Sequence, residues 1–143
     1  MHTQLNDVRQ FMAAFGQPTP ESKQAITEQL RFFRYKLIDE EAVELLKSDT
    51  LVEYTDAVVD LLYVVLGAAV AAGIDEKTLD LCWKEVHRSN MSKFWTNEET
   101  VTAPDGAVVE PAGKACPGRW VVKKGGKVIK SPSYSKANLE QYL

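Results

Sequence analysis

Apolar residues recur in steps of three and four through the N-terminal part of the chain and switch to alternation near its C-terminus. Leu5, Val8, Phe11, Met12 and Phe15 predict a first helix over residues 3–15, ended by Gly16 and Pro18. Phe11 and Phe15 read there as core packing, with a role in holding a ligand base as the alternative. Thr19 fits an N-cap with Pro20 at the first helical position. No proline or glycine interrupts Glu21 to Lys47, which predicts a long second helix with Ile26, Leu30, Phe33, Leu37, Val43 and Leu46 as its buried stripe. Thr50 followed by Glu53 matches a capping box and starts a third helix, Leu51 to Ala72. Beyond Val58 that helix is apolar almost all round, a pattern of burial on most sides that calls for a partner subunit as well as the chain itself. Gly73 suits the position after its C-cap, and Asp75 caps a fourth helix reaching about Ser89.

After Asn90 the composition changes. Residues 96–118 are rich in Thr, Pro, Gly and Ala and read as irregular, whereas RWVVKKGGKVIK (Arg119 to Lys130) reads as a hairpin turning at Gly125-Gly126. SPSYSKANLEQYL closes the chain as a loop with a short final helix. The expected fold is therefore all-α, a bundle of four to five helices with a small C-terminal β-hairpin extension. Residues 1–95 form the helical domain, and residues 96–143 are an extension packed on the same domain.

Composition narrows the function classes. The 143 residues are 45% hydrophobic and 26% charged, ordinary for a soluble domain with its own core. A net charge of -3 gives no basic face for nucleic acid. Cys82 and Cys116 have neither metal-type nor framework spacing, which favours a reducing compartment. The start, MHTQLNDVRQF, does not read as a secretory signal, and Leu61 to Ile74 is too short to span a bilayer. A cytoplasmic protein without membrane contact is expected.

The candidate chemistry lies in LIDEEAVELLKSDTLVEYTDAVVDLLYVVLG, residues 37–67. Glu41 and Glu44 share a helix face, Glu40 neighbours Glu44, and Asp56 and Asp60 stand four apart on the next helix. A short link makes the two helices antiparallel neighbours, so the acids can face each other. Gathered without cations they repel and raise each other's pKa, whereas a hard divalent ion turns the repulsion into attraction. Surface acid on two amphipathic helices is the plainer alternative. A di-iron carboxylate centre is ruled out, because neither His2 nor His87 has a glutamate three residues before it. Glu53 already has the cap to serve. Arg31, Arg34 and Lys36 fit either solvated charge or anion binding, and EVHRSNMSK (Glu85 to Lys93) ends a helix in basic and amide side chains. His87 reads as a packed or hydrogen-bonded residue.

LIDEEAVEL, DAVVDLLYVVLGAAVAAGID and EVHRSNMSK, in that order and spacing, resemble the MazG-like all-α nucleoside triphosphate pyrophosphohydrolases over about Val8 to Lys93. The branch they look most like is the phosphoribosyl-ATP pyrophosphohydrolase-like one, related to the dimeric dUTPases, and the tail GGKVIKSPSYSKANL is similar to that branch's C-terminus. The resemblance implies a Mg²⁺-dependent homodimer or homotetramer, with Mn²⁺ able to substitute, that converts an NTP or dNTP to the monophosphate and pyrophosphate. It places Glu41, Glu44 and Asp60 on the metal, and Glu40 or Glu41 as the base that activates water. Arg88, Asn90, Lys93 and Lys130 become substrate contacts, with Phe11 and Phe15 walling the base pocket. The family's second motif, ExxD, is altered, because Ala57 stands three residues before Asp60. Asp56, one turn before Asp60, is taken as the substitute ligand. Hydrolysis of phosphoribosyl-ATP is the alternative activity, and a catalytically silent helical dimer with a regulatory or binding role is the alternative outside enzymes.

Overall fold

The computed structural model describes residues 2–143. Four α-helices come first: α1 (His2–Ala14), α2 (Glu28–Lys47), α3 (Leu51–Ala71) and α4 (Glu76–Met91). A short 3₁₀ turn (Glu99–Thr102) and three strands follow, β1 (Val108–Pro111), β2 (Trp120–Lys124) and β3 (Lys127–Ile129), in one antiparallel sheet of order β1-β2-β3. The architecture is mostly helical with a small C-terminal sheet, as the periodicity predicts. The chain forms two compact units, one running to Asp80 and the other spanning Leu81–Tyr142.

In the first unit α3 packs against both α1 and α2. Leu5, Val8 and Met12 of α1 meet Leu66, Val70 and Ala71 of α3, with Leu30, Tyr63, Ala69 and Leu79 around them. Each large apolar side chain buried there contributes about 1.5–3 kcal/mol. Phe11 and Phe15 stay outside this core and are exposed, a correction to their reading as core residues. The inward stripe of α1 is already filled by Leu5, Val8 and Met12, so Phe11 stacks on Phe15 and meets Tyr63 edge-on.

The start of α2 also differs from the expectation. Thr27, not Thr19, is the N-cap, and its hydroxyl accepts from the Leu30 amide at 3.1 Å. The reason lies at the end of α3. Gly73 (φ +69) closes α3 by a Schellman pattern, its amide donating to Val70 O at 3.0 Å and that of Ile74 to Ala69 O at 3.1 Å. The segment after Pro20 crosses this end, and the Gln24 amide donates to the Ala72 carbonyl at 2.9 Å. A Cβ on Gly73 would lie 2.0 Å from Ser22 O, so residues 21–26 trade helix for this docking. The stripe of α2 shifts with it. Ile26, Phe33, Val43 and Leu46 are exposed, and Leu30, Arg34, Leu37 and Glu41 face inward.

The third helix begins at the capping box the sequence predicts, with Glu53 N donating to Thr50 Oγ1 and Glu53 Oε2 accepting from the Thr50 and Asp49 amides. As a whole it is 21 residues long and apolar enough by composition to cross a membrane, a longer run than Leu61 to Ile74 alone. Asp60 near its middle and Asp56 one turn earlier are costly in a bilayer, and Leu66, Val70 and Ala71 of its C-terminal half are core. Asp75 caps α4, its Oδ1 accepting from the Thr78 amide at 2.7 Å.

In the second unit Trp95 is buried, pairs through its backbone with Trp120, and donates its indole N–H to Ile129 O at 2.8 Å. The β2–β3 hairpin turns at Gly125 (φ +57) and Gly126 (φ +76), both left-handed as a type I′ turn requires. The stretch expected to be irregular contains β1, which pairs Val109 with Val122. No final helix forms among the described residues, and the C-terminal segment is turns and extended chain.

Candidate active site

The cap at Thr50 and the three-residue link before α3 turn the chain back so that the acids of α2 and α3 share one face of the first unit. Glu41 is half-buried there, and Glu40, Glu44, Asp56 and Asp60 are exposed. The Glu41 carboxyl has its pKa raised, first by burial and then by the charges of Glu44, Asp60, Glu40 and Asp56 in that order. Four negative groups from two helices thus act on one carboxylate. Asp60 acts on Glu41 more strongly than Asp56 does.

Among the described residues no three His, Cys, Asp or Glu side chains stand close enough to hold an ion as they are placed. The donor set is nonetheless oxygen-only and mutually repulsive, which suits a hard divalent cation such as Mg²⁺ and offers nothing to a soft one. Ala57, at the altered motif position, is buried. Asp56, one residue earlier, is exposed and lines a shallow cavity of about 480 Å³ with Leu51, Val52, Thr55 and Val59. Glu53 is committed to its cap, whose hydrogen bonds from the Asp49 amide and from Thr50 hold its carboxyl below the ordinary range.

Arg88, Asn90, Lys93 and Lys130 lie in the second unit. Arg88 makes a bidentate pair with Glu85, 2.8 Å for each contact, and donates to Lys136 O at 3.4 Å. Lys93 Nζ donates to Asn90 Oδ1 at 2.7 Å, and Lys130 Nζ stands 4.3 Å from the centre of the Tyr134 ring. The Tyr134 hydroxyl has its pKa lowered, first by a hydrogen bond with Ser89 and then by the charges of Lys130 and Lys93. Ser89, Lys93 and Lys130 therefore gather around Tyr134, with Asn90 tied to Lys93, and sequence reasoning passed over Tyr134 because Ser89 and Lys93 are distant in the chain.

Residues 8–90, more than half of the chain, match the model of the phosphoribosyl-ATP pyrophosphohydrolase family. The chain belongs to this family. Its members form part of the MazG-like all-α superfamily and are enzymes that hydrolyse a pyrophosphate bond of phosphoribosyl-ATP. No curated protein matches the chain. The match includes all of α2 and α3 and nearly all of α4, hence every acid of the cluster together with Arg88 and Asn90. Lys93, Lys130 and the sheet lie beyond it.

Sequence reasoning left Arg34 between solvated charge, or a same-helix salt bridge, and anion binding; it did not foresee that the residue is buried on the inner face of α2.

Proposed function

We propose that the chain is a Mg²⁺-dependent pyrophosphohydrolase that splits a nucleoside 5′-triphosphate group into the monophosphate and pyrophosphate. The observation that carries this reading is the convergence of Glu44, Asp60, Glu40 and Asp56 on Glu41. Membership of the family makes phosphoribosyl-ATP the favoured substrate. Glu41, Glu44, Asp60 and Asp56 would hold the ion, which when bound supplies positive charge to the triphosphate and the leaving pyrophosphate. Glu40 or Glu41 orients a water and takes its proton as the water oxygen bonds to the α-phosphorus. The bond from that phosphorus to the bridging oxygen breaks, and pyrophosphate departs with the bonding pair. Asn90, Lys93 and Lys130 are phosphate or sugar contacts, and Arg88 acts mainly through Glu85. The protein works in the cytoplasm as a homodimer or homotetramer.

A second reading takes an ordinary NTP or dNTP as the substrate. It is favoured by the C-terminal sheet and the Lys93–Lys130 cluster, which extend beyond the residues matched to the family. Pyrophosphate release with Mg²⁺ from phosphoribosyl-ATP and from a panel of NTPs and dNTPs separates the two. Wild-type turnover should fall about a hundredfold or more in Glu41→Gln. Mg²⁺-dependent turnover of none of these nucleotides would leave only the silent helical dimer, to which buried Ala57 lends support.

A further inference from the structure

Arg34 is only 8% exposed, and among the described residues no carboxylate pairs with it. Its Nη2 donates to Gln17 Oε1 at a long 3.4 Å and lies 3.7 Å from Met12 Sδ, and the guanidinium carbon sits 5.3 Å from the Phe33 ring centre. Its Nε is buried with no hydrogen-bond partner. A buried guanidinium left in that state is destabilising, and natural interiors rarely keep one without an anion. The packing makes room for the group all the same. A Cβ on Gly67 of α3 would stand 3.0 Å from Arg34 Nη1, so the glycine lets the charge lie against α3.

Arg34 also lines a cavity of about 520 Å³ with Gln17, Thr27, Gln29, Leu30 and Phe33. The first turn of α2 opens onto it; Thr27 Oγ1 already takes the Leu30 amide, the Glu28 and Gln29 amides have no carbonyl four residues back, and the helix dipole favours negative charge. A helix start, an uncompensated cation and an open cleft therefore meet in one place, which is the chemistry of a phosphate site.

We propose that this cavity binds a phosphate monoester, held by Arg34 and the first turn of α2. On the reading of phosphoribosyl-ATP as substrate, that group is the 5′-phosphate of the phosphoribosyl arm. Arg34 and Glu41 lie on the same inward face of α2, seven residues and about 10 Å of helix axis apart. A substrate with phosphate at both ends can then engage the acid cluster with one end and Arg34 with the other.

The test uses the full chain. Without divalent metal, inorganic phosphate or ribose 5-phosphate should raise the melting temperature saturably. Arg34→Met should abolish that shift, and Arg34→Lys should keep part of it. Without ligand, Arg34→Met should melt at or above the wild-type temperature, because it removes an unpaired buried charge; a clear drop would mean that Arg34 is structural and overturn the site. Should Arg34→Met fail to fold, Gly67→Ala keeps the cation but crowds Nη1, and it should weaken the phosphate shift. No shift in the wild type, or an equal one in Arg34→Met, also overturns the site. In kinetics Arg34→Met should raise KM for phosphoribosyl-ATP at least tenfold and leave ATP unchanged. A phosphate shift with equal effects on both substrates would overturn the assignment to the phosphoribosyl arm and leave a separate phosphate site. Absence of all turnover would defeat the proposed activity, while the phosphate titration would still decide the cavity.

Discussion

Asp56 and Glu53 are both exposed acids near the start of α3, three residues apart, yet their surroundings differ. Glu53 accepts from two backbone amides and holds the helix start, whereas Asp56 adds to the negative charge acting on Glu41. Asp56→Asn should therefore cut turnover at least tenfold and leave the melting temperature nearly unchanged. Glu53→Gln should lower the melting temperature by a few degrees and leave turnover within a factor of a few. The opposite ranking would place the second motif on Glu53 and Asp56 and refute the register used here. At this scale the acids were legible because helical spacing alone puts Glu41 with Glu44 and Asp56 with Asp60. Arg34 was legible only as a choice between solvated charge and anion binding, because its burial is set by Met12 and Gln17, which lie far away in sequence.

Among the elements, α4 shows how a helix end is tied to remote chain. Glu85 is buried near its C-terminal end, paired with Arg88 and accepting the Asn138 amide at 3.0 Å. These contacts, the Arg88 hydrogen bonds first and the Asn138 amide second, hold the Glu85 carboxyl down to about 2, below its ordinary value of 4.5. Because the folded pKa is the lower one, the stabilisation is fully present above about 4.5 and is lost as pH falls towards 2. Hydrogen exchange at the Asn138 amide should accordingly show protection that falls through this window, relative to other amides of the second unit. Glu85→Gln should lower protection at neutral pH and flatten that dependence; an unchanged slope would show that another carboxylate ties this segment. The helices and the Gly-Gly hairpin were visible as periodicity and turn chemistry. The start of α2 was hidden because it depends on Ser22 and Gln24 meeting the end of α3, and β1 because so short a strand is defined by its pairing with β2.

For the whole molecule the open question is what covers α3. Leu51, Tyr54, Val58, Leu62 and Val65 recur in steps of three and four, and all are exposed, Leu51 at 82%. That spacing forms a continuous apolar stripe lying apart from the residues that meet α1. A stripe of this length exceeds the isolated apolar residues normal on a monomer surface and marks an association face. A bilayer is a poor occupant, because Asp60 lies at mid-length of the same helix and Asp56 one turn before it. A second copy of the chain fits better, since two such stripes are self-complementary about a two-fold axis. Light scattering should then give at least twice the 16.0 kDa chain mass, in even multiples. Leu62→Glu, or Val58→Glu with Val65→Glu, should yield a species of single-chain mass with the helical content kept, because burying an unpaired carboxylate at the interface opposes association. A wild-type protein of single-chain mass that stays soluble, and keeps its mass in Leu62→Glu, would refute a second copy as the cover of α3. The acid cluster lies on α2 and α3, and α3 carries this stripe, so loss of association should also lower turnover in Leu62→Glu even though no carboxylate has been touched. A single-chain variant with wild-type turnover would show instead that each subunit holds a complete site.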